Sequence, residues 1–375
     1  MKIVLAIDKF KGSATSVQIA NAAKQVIEEF DNSIEIKTIP VADGGDGTVD
    51  AMLSALPGAE IVETAVSAPV ASLPHIVARY AIVGGDTAVM EVAAASGLAL
   101  VPCHLQNVMQ ATSAGCGQMI ADAYGRGVRH IVLGLGGSAT CDGAMGLLDA
   151  IGFVFTGADG VRLTPCGENL GLIRDIKQTA LAQKIATGVQ FTLLSDVTCP
   201  LLGTNGAARV FAPQKGASAV EVELLEAGMA NFAKFMPHRA TVMPGAGAAG
   251  GIGAGMAAFL GAAIKPGVEE ILKLAHFDSK LRGASLIITG EGCIDAQTAM
   301  GKAPEVIAQH GRACGIPVIA ICGQLAIDAE KLSCFDQIIP ITPPGMPLAT
   351  AMKPDVTLQN IRTAIRTLLP TITKL

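Results

Sequence analysis

Four short runs of this chain crowd carboxylates and glycines together, two of them with lysines. They are DKFKGS at 8–13, with Asp8, Lys9 and Lys11; PVADGGDGT at 40–48, with Asp43 and Asp46; SDVTCPLLG at 195–203, with Asp196; and GEGCIDAQTAMGK at 290–302, with Glu291, Asp295 and Lys302. Each alone reads as turn chemistry, because Asp and Gly suit turns and helix caps. Together they follow four apolar, β-branched runs, and in open α/β sheets ligands collect at the carboxyl ends of strands. A surplus of acids beside glycine loops calls for a cation, and Mg²⁺ escorting phosphate is the common solution. A fifth run, VLGLGGSATCDGAMG at 132–146, has five glycines, two hydroxyls and one carboxylate. Glycines at such a turn let an anion reach backbone N–H groups, and a following helix adds its dipole.

Gly134-x-Gly136-x-x-Ala139, with Asp159 about twenty residues on, also matches the dinucleotide fingerprint. So does Gly245-x-Gly247-x-x-Gly250, without a clear strand before it. Walker A is absent, since Gly301-Lys302 lacks the upstream Gly and the following Ser or Thr. Phosphoryl transfer needs a phosphate cradle, metal-holding carboxylates, a cation for developing charge and a base for the attacking hydroxyl. Two glycine loops, the strand-end acids and Lys9, Lys11 and Lys215 supply all four. Hydride transfer has no use for the extra acids, which favours a kinase over an NAD(P)-dependent hydroxy-acid oxidoreductase. The candidate catalytic residues are Asp196, Asp43, Lys11 and Asp295. Candidate nucleotide-binding residues are Gly136, Gly137, Ser138, Asp142, Gly247, Gly250, Lys9 and Lys215, and candidate metal ligands are Asp196, Glu291 and Asp295. Which carboxylate is the base stays open.

The elements that must position these residues alternate β and α at both ends of the chain. Strands are expected at 3–7, 34–39, 286–289, 318–321 and 337–339, and helices at 16–29, 48–56, 303–312 and 358–368. Thr15 and Gln18 have capping-box spacing, and Pro340 should close its strand. Residues 61–92 read as short antiparallel strands, after which α/β alternation resumes with strands at 130–133 and 191–194 and helices at 113–124, up to 151, 220–235 and 249–262. The expected fold is α/β with two domains. Residues 1–60 and 281–375 form a Rossmann-like doubly wound domain, and 61–280 an inserted mixed α/β domain carrying the glycine loops.

Composition narrows the partners. A net charge of −5, no Trp and only Tyr80 and Tyr124 argue against nucleic acid. The uncharged stretch 241–264 is too rich in glycine and alanine to be a convincing membrane span. Nine cysteines without a C-x-x-C pair suit a reducing, cytoplasmic setting. Six scattered histidines give no zinc spacing.

At these motifs the chain resembles the bacterial glycerate kinase family, the type acting on D-glycerate. The resemblance spans nearly the whole chain and also rests on EVAAASGL (91–98), GAARVFAPQKGA (206–217) and PGAGAAGGIGAG (244–255). It implies ATP-dependent phosphorylation of D-glycerate, at the 2-hydroxyl in preference to the 3-hydroxyl, in organic-acid breakdown. It also implies an active site in the cleft between two domains, with Mg²⁺ as cofactor; a homodimer is one assembly left open. The chain departs from the family pattern at Lys9 (usually Ser), Asp46 (Glu), Cys141 and Cys199 (Asn) and Cys293 (Arg). Losing that Arg leaves Lys9, Lys11, Arg209 and Lys215 as the candidate cations. Positive potential near Cys141 and Cys199 would favour their thiolates.

Overall fold

The structure is a computed structural model that describes all residues except 40, 43–44, 46, 56–57, 296–297, 299–300, 327–331 and 373–375. Asp43 and Asp46 therefore lie outside the described residues. The strands are β1 (Lys2–Ile7), β2 (Glu35–Thr38), β3 (Glu60–Val66), β4 (Ile76–Val83), β5 (Thr87–Glu91), β6 (His130–Gly134), β7 (Phe153–Thr156), β8 (Asp175–Gln178), β9 (Gln190–Leu194), β10 (Ala263–Lys265), β11 (Leu286–Ile294), β12 (Val318–Leu325) and β13 (Gln337–Pro340). The fold is mixed α/β.

Contacts divide the chain into two compact units. One comprises residues 1–43, 50–57 and 268–375, the other 44–49 and 58–267. Residues 268–280 thus go with the chain ends, whereas the sequence reading ran the insertion to 280.

The first unit is built on a parallel five-stranded sheet in the order β13-β12-β11-β1-β2. Its three inner strands β1, β11 and β12 carry buried apolar runs because both faces are covered there, whereas the edge strands β2 and β13 are largely exposed. Ile3, Leu5 and Ile7 point into one core with helices Ser16–Phe30 and Pro354–Ile372. Val4 and Ala6 point into the other, with Val306 and Ile307 of helix Ala303–Ala313. Thr15 and Gln18 form the capping box, Gln18 N donating to Thr15 Oγ1 at 3.2 Å and Thr15 N to Gln18 Oε1 at 3.0 Å. Pro340 ends β13 at the sheet edge, where no ladder donor is missed.

The second unit has a six-stranded sheet in the order β10-β9-β6-β5-β4-β3. The β3–β4–β5 stretch is antiparallel, but β5 pairs parallel to β6, so this patch extends the parallel strands and forms no separate sheet. β7 and β8 form their own antiparallel pair. No described helix is long and apolar enough to cross a membrane. Within 241–264 a kink of three left-handed residues, Ala249 (φ 54°), Gly250 (φ 67°) and Gly251 (φ 90°), interrupts helix Ala248–Leu260.

Helix Ala114–Gly125 packs against helix Met145–Ala150 so closely that a Cβ on Gly117 would lie 2.2 Å from Leu147 O, whereas one on Gly125 would meet nothing within 4 Å. Gly117→Ala should therefore lower stability by about 1–3 kcal/mol, the scale of an overpacked core. Gly125→Ala should raise it by about 0.5–1 kcal/mol through chain entropy. Urea unfolding of both variants checks this, and equal effects would contradict the packing described.

Candidate active-site loops

In the second unit, β6 runs into the glycine turn at its carboxyl end. Leu135 N still continues the ladder, donating to Leu194 O at 3.1 Å. The chain then turns through Gly136 and Gly137 (φ 73°), and the amides of Gly136, Gly137 and Ser138 donate to no other described residue. Successive unpartnered amides in a turn form an anion-binding concavity. The EVAAASGL run fixes this turn from the side: Leu98 N donates to Gly137 O and Ala139 N to Ser96 O, each at 2.8 Å. Gly136 must stay bare, because a Cβ there would lie 2.7 Å from Gly45 Cα.

Lys215 reaches the turn from helical turn Pro213–Lys215. It is only 3% exposed, and its Nζ donates to Ser138 Oγ at 2.9 Å and Thr140 O at 2.7 Å. Among the described residues it makes no ion pair. Burial lowers the Lys215 pKa, opposed by Cys141, Asp142 and Cys199. Nearby, Thr140 Oγ1 is buried without a hydrogen-bond partner. A buried ammonium with a donor to spare, next to unpartnered amides, is suited to an anion.

Asp142, expected to bind nucleotide, serves the loop itself. It is fully buried, and Oδ2 accepts from Ser113 N and Oγ, both at 2.8 Å, and from Gly146 N at 3.1 Å; Oδ1 accepts from Ala144 N at 3.3 Å. Burial pushes its pKa up against these four donors. Ser113 Oγ also accepts from Leu147 N at 2.9 Å, so the pair ties the turn to the start of two helices. Sequence reasoning did not single out Ser113, since nothing but a distant contact marks it.

Several glycines read as making room for phosphate instead make room for the protein. A Cβ on Gly146 would lie 2.2 Å from Thr112 Oγ1, on Gly250 2.0 Å from Thr140 O, and on Gly247 2.3 Å from Pro200 O. The Gly247 amide is already spent on Cys199 O at 3.0 Å. The 245–251 loop therefore backs the glycine turn. Burial also raises the Cys141 thiol to about 11 and raises Cys199, so both stay protonated at neutral pH, against the thiolate expectation.

Asp196 lies two residues beyond β9. It is exposed, and its Oδ1 accepts from Gly267 N at 2.9 Å. Arg209 is committed elsewhere, gripping Glu223 with two nitrogens.

In the first unit, Lys9 is partly buried and Lys11 exposed on the turn after β1. A Cβ on Gly292 would lie 3.5 Å from Lys11 N, which brings this turn beside β11. Glu291 is 8% exposed, its pKa raised by burial, while Thr298 and Lys302 oppose the shift. Thr298 Oγ1 donates to Glu291 Oε1 at 2.7 Å, and Lys302 Nζ stands 3.7 Å from Glu291 Oε2 and 3.4 Å from Asp295 Oδ1. Of the three expected metal ligands, Glu291 and Asp295 are together here and Asp196 belongs to the other unit. Among the described residues no group of three or more His, Cys, Asp or Glu could hold a metal ion.

The dinucleotide fingerprint finds no structural counterpart. Ten residues separate β6 from helix Met145–Ala150, so Ala139 is in a loop and not in a helix packed on its strand. Asp159 accepts from Val161 N at 3.0 Å in an exposed turn next to β7.

Comparison with known proteins identifies the family. A sequence profile described as the Glycerate kinase family matches residues 3–373. The chain is 39% identical over 333 residues to the glycerate 2-kinase of Escherichia coli K12, covering 88% of this chain and 86% of that one. It is 35% identical over 360 residues to the glycerate kinase of Bacillus subtilis 168, covering 94% and 93%. A crystal structure from Salmonella typhimurium LT2, provisionally described as glycerate kinase 2, superposes with a TM-score of 0.87 at 34% identity, covering 100% of this chain and 98% of that one. The fold is that of an α/β phosphotransferase, and the protein is a kinase. The chain belongs to the glycerate kinase family.

Asp142→Asn replaces an acceptor of four hydrogen bonds with a group whose NH2 must face at least one of those donors. Stability should drop by about 2–4 kcal/mol, the scale of a broken charged network with unsatisfied partners. Ser113→Ala, which leaves the Ser113 N–H bond in place, should cost less than half as much. Thermal and urea unfolding measure both, and a near-neutral Asp142→Asn would refute the anchoring role.

Proposed function

We propose that this kinase transfers the γ-phosphoryl group of ATP to the 2-hydroxyl of D-glycerate, giving ADP and 2-phosphoglycerate. The observation that carries the reading is the buried Lys215 ammonium beside the unpartnered amides of residues 136–138. Such preorganised donors stabilise charge spread over a transferring phosphoryl group without reorganising. Ser138 and Thr140 orient the ammonium, and Asp142 and Ser113 hold the loop that carries them. The E. coli relative is a glycerate 2-kinase, which supports the 2-position, and a product phosphorylated at the 3-hydroxyl is the alternative that product analysis tests.

Asp196 is our choice for direct participation. Its exposed carboxylate suits either acceptance of the hydroxyl proton or ligation of the nucleotide's Mg²⁺, a hard cation that takes carboxylate and phosphate oxygens. Neutralising triphosphate charge is the chemistry Mg²⁺ supplies when bound. Lys9, Lys11 and Asp295 are proposed to serve the reaction from the first unit, and Asp43 keeps its proposed part on sequence grounds. Gly247 and Gly250 are proposed to act by shaping the loop.

The protein should form ADP from ATP with D-glycerate only when Mg²⁺ is present, and phosphorus NMR should show a secondary phosphate ester. A primary ester would move the assignment to the 3-hydroxyl, and absence of turnover would sink the reading. Asp196→Asn should lower kcat by about 100-fold or more, the scale of a lost acid–base or charge-stabilising group. If Asp196 serves only its turn, kcat will stay near that of the parent.

Lys215 also sets an alkaline limit. Its folded pKa is lowered, so the ammonium is lost at a pH below that of an ordinary lysine. ATP affinity should therefore fall as pH rises through that window. Folding stability should rise there, because the unfolded chain now binds more protons than the native one. Isothermal titration and unfolding across pH 8–10.5 should show these opposite trends, and Lys215→Arg should move the affinity loss to higher pH. Parallel trends would contradict the assignment.

A further inference from the structure

The cluster at the end of β11 contains its own cation. Glu291 is held by the wholly buried Thr298, whose Oγ1 donates to Glu291 Oε1 and whose N donates to Asp295 Oδ1 at 3.2 Å. Lys302 caps helix Ala303–Ala313 with its carbonyl, which accepts from Glu305 N at 3.0 Å, and its backbone is fixed by that helix. From there its side chain returns to both carboxylates, at 3.7 and 3.4 Å. Those are ion-pair distances for an ammonium, whereas Mg²⁺ requires oxygens at about 2.0–2.1 Å in near-octahedral array. With all three groups ionised the cluster carries one net negative charge. A divalent ion could enter only by displacing the lysine.

We propose that Lys302 is the resident counter-cation of Glu291 and Asp295, making this cluster a positioning device for the end of β11 and not a divalent metal site. The candidate metal ligands Glu291 and Asp295 are thereby reassigned, and Lys302 joins the residues on which the reaction depends. Thr298 and Lys302 fix the direction of both carboxylates, and both oppose the rise that burial imposes on the Glu291 pKa. The kinetic part of this inference rests on the glycerate kinase reading; the metal part does not.

Mn²⁺ added to the nucleotide-free protein and counted by electron paramagnetic resonance separates the two roles. Wild type and Glu291→Gln should bind the same number of ions. Lys302→Gln should gain one ion, which the added Glu291→Gln substitution removes. A Mn²⁺ site present in wild type and lost in Glu291→Gln overturns the proposal, as does failure of Lys302→Gln to gain one. In turnover, Lys302→Gln should lower kcat about tenfold or more. It should also shift the acid limb of the pH profile upward, because Glu291 then loses a group that lowers its pKa while burial and Asp295 still raise it. Lys302→Arg should restore both. The Lys302 side chain is 37% exposed, so these variants leave the core intact. An unchanged kcat and acid limb in Lys302→Gln would remove the positioning role. Absence of glycerate phosphorylation by wild type would count against the functional reading alone, since the ion counts require no turnover.

Discussion

Burying an ammonium away from any carboxylate is costly, and the second unit does so with Lys215. Among the described residues its charge is offset at hydrogen-bond distance only by a hydroxyl and a carbonyl, with Asp142 acting through space and not by contact. Such an arrangement persists only where the surroundings are rigid enough to prevent relaxation toward water or toward the acid. Much of the unit can be read as supplying that rigidity. Asp142 consumes four donors to fix the loop after β6, and residues 96–98 pin the turn from the side. The 245–251 loop fills the space behind it so closely that only glycine fits at 247 and 250. The left-handed run Ala249–Gly251 follows from the same requirement, since the chain must bend there to lie against Thr140 and Cys141.

The first unit presents charge under a different constraint. Its parallel sheet also delivers polar groups at its carboxyl end, but the acids arrive with a lysine already between them. One unit therefore holds a cation in want of an anion, and the other holds two acids with a lysine between them. A lysine shared by two acids specifies their geometry while leaving one of the two negative charges unbalanced. An uncompensated ammonium supplies field and depends on other groups for its geometry.

The cysteines show how burial outweighs local potential. Cys141 lies close enough to Lys215 for the lysine to lower its pKa, yet desolvation carries the thiol to about 11. A positive group stabilises a thiolate only where the thiolate is otherwise tolerable, and a fully buried sulfur is not in such a place.

Local chemistry made much of this protein legible in its sequence. Apolar runs closed by Gly and Asp located the central strands, the Thr15–Gln18 spacing located a helix start, and the clustering of polar motifs after strands located the loops at issue. Those features depend on residues a few positions apart, so the chain encodes them directly. Lys215 and Ser138 are 77 positions apart and Asp142 and Ser113 are 29 apart. No spacing rule joins such pairs; the sheet order and loop packing do. Tertiary structure alone decided that Gly146, Gly247 and Gly250 are bare to admit the protein's own backbone, that Asp196 is exposed, and that Asp142 faces inward. A glycine or an aspartate has the same local signature whether its open side meets a ligand, water or another loop, and only the folded chain determines which of these it meets.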